Sequence, residues 1–204
     1  MIKLKHLFML SPYIGVITGM YVFKNAFAAI FIYHAGIAAA VCLFHGEISF
    51  NTLFKFNNPR LLIFASAVCL LSGLSVVVLW NFIKLPGINL PVIMEQFKLS
   101  GINKWIFLLY FSTVHPLIEE LYWRFLADFR GRYISVGDII FAAYHIPVLI
   151  FFLNASFVLL CFAVLVAAAR IWRYLKQDLN ENLTVFISHA FADFSIMLAV
   201  FALY

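Results

Sequence analysis

The sequence predicts an all-α protein, a polytopic transmembrane helix bundle of about seven spans. Of its 204 residues, 65% are hydrophobic and only 11% are charged, so the chain lacks the polar side chains that a water-exposed surface requires. Apolar runs of roughly 17 to 25 residues, the length that crosses a bilayer as a helix, recur along the chain. Because no Gly-, Ser- or Pro-rich linker separates these runs, we expect one membrane domain over residues 1–204.

The N-terminal half contains three predicted spans and two long connections. The first span carries Gly15 and Gly19, and this spacing of small residues favours close packing against another helix of the same bundle. The connections 46–60 and 84–104 mix polar and apolar residues, so we expect short interfacial helices or re-entrant turns in them. The three spans cover approximately 7–23, 26–45 and 61–82.

The C-terminal half contains four further spans, and two of them have an internal proline. Pro116 removes the backbone donor for the carbonyl group of Ser112, and we expect a kink there. Pro147 does the same for Ala143. A carbonyl group freed at membrane depth needs a partner, so the kinks indicate a water-filled cavity. These four spans cover approximately 105–127, 133–153, 155–171 and 182–204.

The distribution of Lys and Arg predicts the orientation of the chain. With seven spans the connections alternate between the two sides of the membrane, and the cytoplasmic side usually carries the excess of basic residues. Nine basic residues fall on the side of the N-terminus and four on the other, so we expect a cytoplasmic N-terminus. The nine are Lys3, Lys5, Lys55, Arg60, Arg130, Arg132, Arg170, Arg173 and Lys176, and the four are Lys24, Lys84, Lys98 and Lys104.

Two adjacent carboxylates, Glu119 and Glu120, lie inside the fourth predicted span. An ionised side chain at the centre of a membrane helix costs roughly 2.5 to 3.5 kcal/mol on the mildest scale, so such a pair indicates a functional site. Glu120 and Arg124 are spaced i, i+4 and share a helix face, whereas Glu119 is rotated by about 100 degrees. We therefore expect Glu120 to pair with Arg124, which leaves Glu119 able to accept a proton.

Two histidines in other spans reach a similar depth. Counted from the cytoplasmic ends at 1.5 Å per residue, Glu119 lies about 12 Å deep, His145 about 18 Å and His189 about 10 Å. Phe141 lies one helical turn before His145. Asp193 lies one turn after His189. Three helices therefore bring ionisable groups to one half of the bilayer, where we expect them to converge.

Taken in order, these residues form three motifs, each in its own span: Glu119-Glu120-x-x-x-Arg124, Phe141-x-x-x-His145 and His189-x-x-x-Asp193. The set resembles the CPBP family, which contains type II CAAX prenyl endopeptidases and bacteriocin-processing enzymes and is described as a family of glutamic intramembrane proteases. The resemblance covers roughly residues 105–204, a CPBP-like catalytic core. Residues 1–104 carry no motif that matches.

The resemblance implies that Glu119, with His145, activates a water molecule that attacks a peptide carbonyl group. His189 and Asp193 would then stabilise the oxyanion, and Glu120 would anchor its arginine partner. An ionised Asp cannot donate to an oxyanion, so Asp193 is either protonated or orients His189.

We therefore expect an intramembrane endopeptidase that cleaves a membrane-anchored peptide or protein near one terminus, at the cytoplasmic side. The lipid bilayer is the second expected partner. The formal net charge is +5, but the basic residues form no cluster, so we expect no binding to nucleic acid. The short chain and sparse connections favour an integral protein of a prokaryotic inner membrane.

Two alternatives remain open. A non-enzymatic membrane protein, either a proton-coupled transporter or a scaffold, would keep the same polar network for another purpose. A zinc-dependent peptidase would use Glu119, His145 and His189 as three metal ligands. The H-E-x-x-H spacing usual in such peptidases is absent, which argues mildly against zinc. The mechanism that the resemblance implies needs no metal, so we expect neither a metal nor another cofactor.

Other polar residues have more ordinary interpretations. His34 and His45 match no motif and are interpreted as packing or interfacial residues. His115 lies one turn before Glu119 and is a candidate to line the same cavity. Asp138, near the start of a predicted helix, is interpreted as a capping or loop-pairing residue. The three cysteines are interpreted as buried packing residues: Cys42, Cys69 and Cys161.

Overall fold

The computed structural model describes residues 4–48, 52–127, 129–131 and 133–204. Within these ranges the ordered elements are helices, and no β-strand is present. The predicted all-α fold class is therefore confirmed for the described part of the chain. Lys3 and Arg132, which contribute to the predicted charge distribution, lie outside it.

Nine α-helices in the described ranges build the bundle, and 3-10 or π-helical segments adjoin three of them. A 3-10 helix, Leu4–Leu10, precedes the first, and a π-helix, Ile17–Val22, follows it. A 3-10 helix, His45–Glu47, follows the second, and a second π-helix, Leu121–Leu126, continues the fifth. The α-helices are α1 (Ser11–Val16), α2 (Ala26–Leu43), α3 (Pro59–Ile83), α4 (Leu90–Gln96), α5 (Ile102–Glu120), α6 (Val136–Ala143), α7 (Ile146–Leu149), α8 (Ala155–Gln177) and α9 (Asn182–Leu203).

Side chains that cap helix N-termini explain where several helices begin. Asn25, Asn58 and Asn154 accept hydrogen bonds from backbone N–H groups in the first turns of α2, α3 and α8. Ser135 and Asp138 form a capping box at the start of α6, so the interpretation of Asp138 as a capping residue is confirmed. Asp138 also accepts a hydrogen bond of 2.7 Å from an arginine of α8, which joins the two helices.

Four of the described helices, α2, α3, α8 and α9, are long and apolar enough to cross a membrane. Helix α3 is 25 residues long and exposes large apolar side chains along much of its length. Phe64 and Phe82, for example, are 66% and 73% exposed. Water disfavours such a surface and lipid accommodates it, so the chain is an integral membrane protein. A helical bundle is confirmed, with four helices of spanning length where seven spans are predicted.

The three other predicted spans depart from a single long apolar α-helix, each for a different reason. The first is divided among a 3-10 helix, α1 and a π-helix. The fourth predicted span coincides with α5 and the π-helix after it. Together these two segments carry the ionisable residues Glu119, Glu120 and Arg124, which lower the hydropathy of the span. The fifth is divided into α6 and α7. In the connection 84–104, α4 matches the expected short helix.

The division between α6 and α7 follows from Pro147. Helix α6 ends at Ala143, whose carbonyl oxygen Pro147 cannot bond because it has no N–H group. Helix α7 begins at Ile146, with Pro147 in its first turn. The predicted kink is therefore a break, and it leaves Tyr144 and His145 in the turn between two helices.

Glycines permit the closest helix contacts in the bundle. A Cβ atom added to Gly73 of α3 would overlap the carbonyl group of Ser195 in α9. A Cβ atom at Gly15 would come within 2.6 Å of the carbonyl oxygen of Ala29 in α2, and one at Gly19 would overlap Ala29 itself. The predicted close packing of Gly15 and Gly19 against another helix of the bundle is therefore confirmed.

The prediction for the cysteines is only partly correct. Cys69 and Cys161 are half-buried and unpaired, whereas Cys42 is exposed. Cys42 lies in the last turn of α2, whose neighbouring residues also face outward.

Candidate active site

Glu119 is completely buried in the last turn of α5, and its two oxygen atoms have different surroundings. Oε1 accepts hydrogen bonds from the hydroxyl groups of Tyr33, at 2.5 Å, and Tyr144. His115 Nε2 lies 3.5 Å from the same oxygen. Oε2 has no hydrogen-bond partner among the described residues and lies 3.5 Å from His189 Nε2. One carboxylate oxygen is therefore held in place, and the other remains able to accept a proton.

Glu120 connects α5 to α9. Its Oε1 accepts a hydrogen bond of 2.8 Å from His189 Nδ1, and its Oε2 lies 3.4 Å from Arg124 Nε. The predicted ion pair between Glu120 and Arg124 is therefore confirmed. The guanidinium group of Arg124 also lies over the ring of Phe141, 4.9 Å from its centroid, so the first two motifs meet directly.

His189 is fixed in orientation by contacts on both sides of its ring. A carboxylate can only accept a hydrogen bond, so Nδ1 carries a hydrogen that it donates to Glu120. The ring stacks on Trp172 of α8, with centroids 4.3 Å apart. Trp172 is held in turn by its own hydrogen bond to Ser188. Nε2 therefore faces Glu119.

Asp193 lies one helical turn beyond His189 on α9, as its spacing predicts. Its Oδ2 lies 3.7 Å from His189 Nε2 and has no hydrogen-bond partner among the described residues. Three atoms thus converge, one from each of Glu119, His189 and Asp193. Both roles left open for Asp193, as a protonated acid or as the group that orients His189, place it beside His189 as observed.

The ring of Tyr144 connects His145 to Glu119. His145 stacks on Tyr144, with centroids 4.0 Å apart, and Tyr144 donates to Glu119. His145 Nδ1 donates to the carbonyl oxygen of Phe141 at 3.2 Å, which leaves Nε2 as the acceptor in the neutral ring. Neither ring nitrogen lies within 4.0 Å of a carboxylate oxygen in the described part of the chain. The imidazole in direct contact with the free oxygen of Glu119 is therefore that of His189.

Sequence reasoning missed the two tyrosines that bind Glu119. Tyr33 lies in α2, 86 positions before Glu119, and an aromatic residue in an apolar helix gives no sign of a polar role. Tyr33 also accepts a hydrogen bond of 3.0 Å from Trp123 Nε1. Tyr144 directly precedes His145, and that adjacency is the one local signal that could have identified it.

Two further histidines extend the polar site away from Glu119. His115, predicted to line the same cavity, contacts Glu119 as expected. His34 is buried as a packing residue would be, but its neighbours are polar. Its Nε2 lies 2.9 Å from His115 Nδ1, and its Nδ1 lies 2.7 Å from the hydroxyl oxygen of Tyr110.

A narrow cleft, with room for roughly one water molecule, is lined in part by Glu120 and Arg124 of the site. Lys176 and Asn182 lie along the same cleft. The rest of its lining is apolar, and consists of Leu53, Phe54, Leu117, Phe125, Val185 and Phe186.

The described residues contain no group of three or more His, Cys, Asp or Glu side chains arranged to hold a metal ion. Glu119, His145 and His189, the three ligands considered for zinc, are therefore not arranged as such a group.

Comparison of the chain with family models, with curated proteins and with solved structures returns no match. The resemblance to the CPBP family therefore rests on the three motifs of the sequence.

Proposed function

We propose that this protein is an intramembrane endopeptidase of the glutamic type. The observation that carries the proposal is the surroundings of Glu119 Oε2. This atom is buried, has no hydrogen-bond partner among the described residues, and faces the Nε2 atom of a histidine that Glu120 holds in orientation. A general base and an adjacent fixed donor are the two groups that water-dependent cleavage of an amide requires.

In the proposed reaction, Glu119 Oε2 takes a proton from a water molecule, whose oxygen attacks the peptide carbonyl carbon. The carbonyl oxygen becomes an oxyanion and accepts a hydrogen bond from His189 Nε2–H. The C–N bond then breaks, and the proton held by Glu119 passes to the leaving amine. His189 can donate from Nε2 while Nδ1 stays bonded to Glu120 if the ring carries a proton on both nitrogens.

We propose that His145 and Asp193 support the reaction in different ways. In the proposal His145 binds the attacking water, as the resemblance implies, and its place beside Tyr144 supports this role. Asp193 orients His189, since an ionised carboxylate 3.7 Å from Nε2 attracts the protonated ring.

The proposed substrate is a membrane-anchored peptide or protein cleaved near one terminus. The residues that line the narrow cleft beside Glu120 and Arg124 are mostly apolar, and this lining supports an approach to the site by a largely hydrophobic segment. We further propose that the chain crosses a prokaryotic inner membrane seven times, with its N-terminus in the cytoplasm, which places the site in the cytoplasmic half.

The proposal predicts that Glu119→Gln abolishes cleavage and leaves the fold intact. The amide cannot accept a proton as a base does, so processing should fall by at least about 100-fold, the usual contribution of a general base. The measurement is coexpression with candidate membrane-anchored peptides, whose masses report processing. Glu95→Gln, at an exposed position on α4, is the matched control and should process as the parent does.

The hydrogen bonds that join His115, His34 and Tyr110 favour a second candidate, a non-enzymatic proton-coupled membrane protein. The same variant distinguishes the two. A network that serves only structure should lose stability when Glu119 becomes neutral, because its donors lose a charged partner. Lower stability of the Glu119→Gln variant, combined with peptide masses that the parent protein leaves unchanged, would favour the non-enzymatic candidate.

The proposed mechanism uses no metal. Stoichiometric zinc in the purified protein, together with loss of cleavage on addition of a chelator, would favour the zinc-dependent alternative instead.

A further inference from the structure

A line of polar groups joins Tyr110 to Glu119, through two hydrogen bonds and a final contact of 3.5 Å between His115 and Glu119. The hydroxyl oxygen of Tyr110 lies 2.7 Å from His34 Nδ1, and His34 Nε2 lies 2.9 Å from His115 Nδ1. His115 Nε2 lies 3.5 Å from Glu119 Oε1. The two imidazole rings are buried and stacked at an interplanar angle of 21°, whereas Tyr110 is partly exposed. We refer to these four residues as the Tyr110–Glu119 chain.

The direction of the hydrogen bonds in this chain depends on Glu119. When Glu119 is ionised it cannot donate, and its negative charge 3.5 Å from His115 Nε2 favours the tautomer with a hydrogen on that nitrogen. His115 Nδ1 is then an acceptor, and it receives the Nε2–H group of His34. His34 Nδ1 is an acceptor in turn and receives the hydroxyl hydrogen of Tyr110. Both neutral rings therefore carry their hydrogen on Nε2.

The opposite direction follows when Glu119 is protonated. The carboxyl hydrogen can then be donated to His115 Nε2, which must be an acceptor. His115 donates from Nδ1 to His34, and His34 donates from Nδ1 to the oxygen of Tyr110. Both rings now carry their hydrogen on Nδ1. The protonation of one carboxyl group is therefore linked to the tautomers of two histidines.

We propose that the Tyr110–Glu119 chain is a proton relay that sets the protonation of Glu119 from the Tyr110 side of the bundle. In the forward step the hydroxyl proton of Tyr110 moves to His34 Nδ1. The Nε2 proton of His34 moves to His115 Nδ1, and the Nε2 proton of His115 moves to Glu119 Oε1. A hydronium ion restores the proton of Tyr110, so the net change is one solvent proton gained by Glu119.

The relay approaches Glu119 from the side away from the apolar cleft. Tyr110 lies nine residues before Glu119, about 13 Å along the axis of α5. Lys104 is about 9 Å further toward the start of the helix. Because side chains in a helix tilt toward its N-terminus, the hydroxyl group of Tyr110 is displaced toward that end of α5. Protons would therefore reach Glu119 from one side of the membrane and substrate from the other.

His34 and His115 are positioning residues in this proposal, because they act through Glu119. Glu119 is the one carboxylate among the four residues of the Tyr110–Glu119 chain, so its protonation determines which direction the hydrogen bonds take. The titratable groups that face the two rings come from α2, α5, the α6–α7 turn and α9: Tyr33, Tyr110, Glu119, Tyr144, His145 and His189.

The test is nitrogen NMR of the full chain in lipid bilayers, with ¹⁵N-labelled histidine. The shifts of Nδ1 and Nε2 report directly which nitrogen carries the hydrogen, and single His→Gln variants assign the rings. As the pH is lowered from about 9 to about 4, both His34 and His115 should change from the Nε2–H to the Nδ1–H tautomer with one shared midpoint. In Glu119→Gln the change should disappear.

Tyr110→Phe tests the entrance of the relay. Without the hydroxyl group, exchange between the two tautomers should slow by at least 10-fold, and the shared midpoint should remain. Tyr21→Phe is the matched control, because this hydroxyl group donates to the carbonyl oxygen of Pro147 instead, and it should leave exchange unchanged.

Three outcomes would overturn the relay. These are separate midpoints for the two rings, a doubly protonated ring in place of the tautomer change, and persistence of the change in Glu119→Gln. The inference rests on the proposed function only for the importance of Glu119 as a base. The measurement needs no substrate, so failure of the relay and failure of peptide cleavage are distinguished.

Discussion

The carboxylate of Glu119 is surrounded unevenly, and this asymmetry follows from individual side chains. Oε1 has two hydroxyl donors and an imidazole nitrogen close by, whereas Oε2 faces only His189 at 3.5 Å. The donors on Oε1 offset part of the cost of a buried charge. They also restrict rotation of the group, so Oε2 is directed toward the proposed reaction.

Tyr33→Phe should destabilise the protein by about 2–4 kcal/mol, because it removes two buried hydrogen bonds, one of them to a charged group. The hydroxyl group donates to Glu119 at 2.5 Å and accepts from Trp123 Nε1 at 3.0 Å. The ring is retained, so packing changes little. The measurement is the midpoint of unfolding when the protein is titrated with a denaturing detergent.

Tyr21→Phe provides the comparison for Tyr33→Phe. Its hydroxyl group makes one hydrogen bond at an exposed site, and its loss should cost less than about 1 kcal/mol. Equal midpoints for the two variants would show that the bond between Tyr33 and Glu119 contributes nothing to stability.

The residues of the site that could be predicted are those whose partners lie one helical turn away. Glu120 with Arg124 is such a pair, and helix geometry brings the two together in any fold. The contact between Glu120 and His189 joins positions 69 apart, and only the packing of α5 on α9 creates it. His34 was interpreted as a packing residue for the same reason, since its polar neighbours belong to a different helix.

Helices α3 and α9 meet along a seam of small residues. Ser195 Oγ accepts a hydrogen bond of 3.2 Å from the backbone N–H group of Gly73 and lies 3.1 Å from Ser72 Oγ. It also donates to the carbonyl oxygen of Cys69 at 3.0 Å. Helix α9 also carries His189 and Asp193, so a displacement of α9 from α3 would move these two residues of the site.

Gly73→Leu should therefore lower the free energy of unfolding by about 1–3 kcal/mol, the usual cost of overpacking. Any Cβ atom at this position overlaps the carbonyl group of Ser195, and the two helices must separate. The detergent-unfolding midpoint measures the loss. Proposed peptide processing should fall as well, since α9 would move relative to Glu119.

Gly46→Leu is the matched control for that substitution. A Cβ atom at Gly46 meets no described atom within 4 Å, so the same side chain can be added without displacing a helix. A loss of stability as large as that of Gly73→Leu would show that hydrophobic bulk, rather than the α3–α9 contact, is responsible.

The long apolar helices were predictable because their length and composition are local properties. Helices α2, α3, α8 and α9 match predicted spans to within a few residues, except that α8 continues past the predicted end at 171. The π-helix Leu121–Leu126 was not predictable, since no residue type specifies one. The break at Pro147 was expected only as a kink, because a proline does not by itself determine how far the chain turns.

The distribution of charge and the depth of the site lead to the last prediction, which concerns how the chain crosses the membrane. In the part of the chain that the structure describes, four helices are of clear spanning length. The helical run from α5 through its π-helix covers residues 102–126, about 37 Å at 1.5 Å per residue, which is also enough to cross. An odd number of crossings places the two ends of the chain on opposite sides, and an even number places them on the same side.

With seven crossings and a cytoplasmic N-terminus, the connection at Gly46 faces the cytoplasm and α4 faces the opposite side. In a chain whose native cysteines are replaced, Gly46→Cys should react with a membrane-impermeant maleimide only after the cells are permeabilised. Glu95→Cys on α4 should react in intact cells, and so should Tyr204→Cys at the C-terminus. The basic residues number nine on the side of the N-terminus, which includes the connection at Gly46, and four on the other side, and moving the larger number across the membrane is disfavoured. Labelling of Gly46→Cys and Tyr204→Cys on the same side would contradict seven crossings, and labelling of Gly46→Cys alone in intact cells would reverse the orientation.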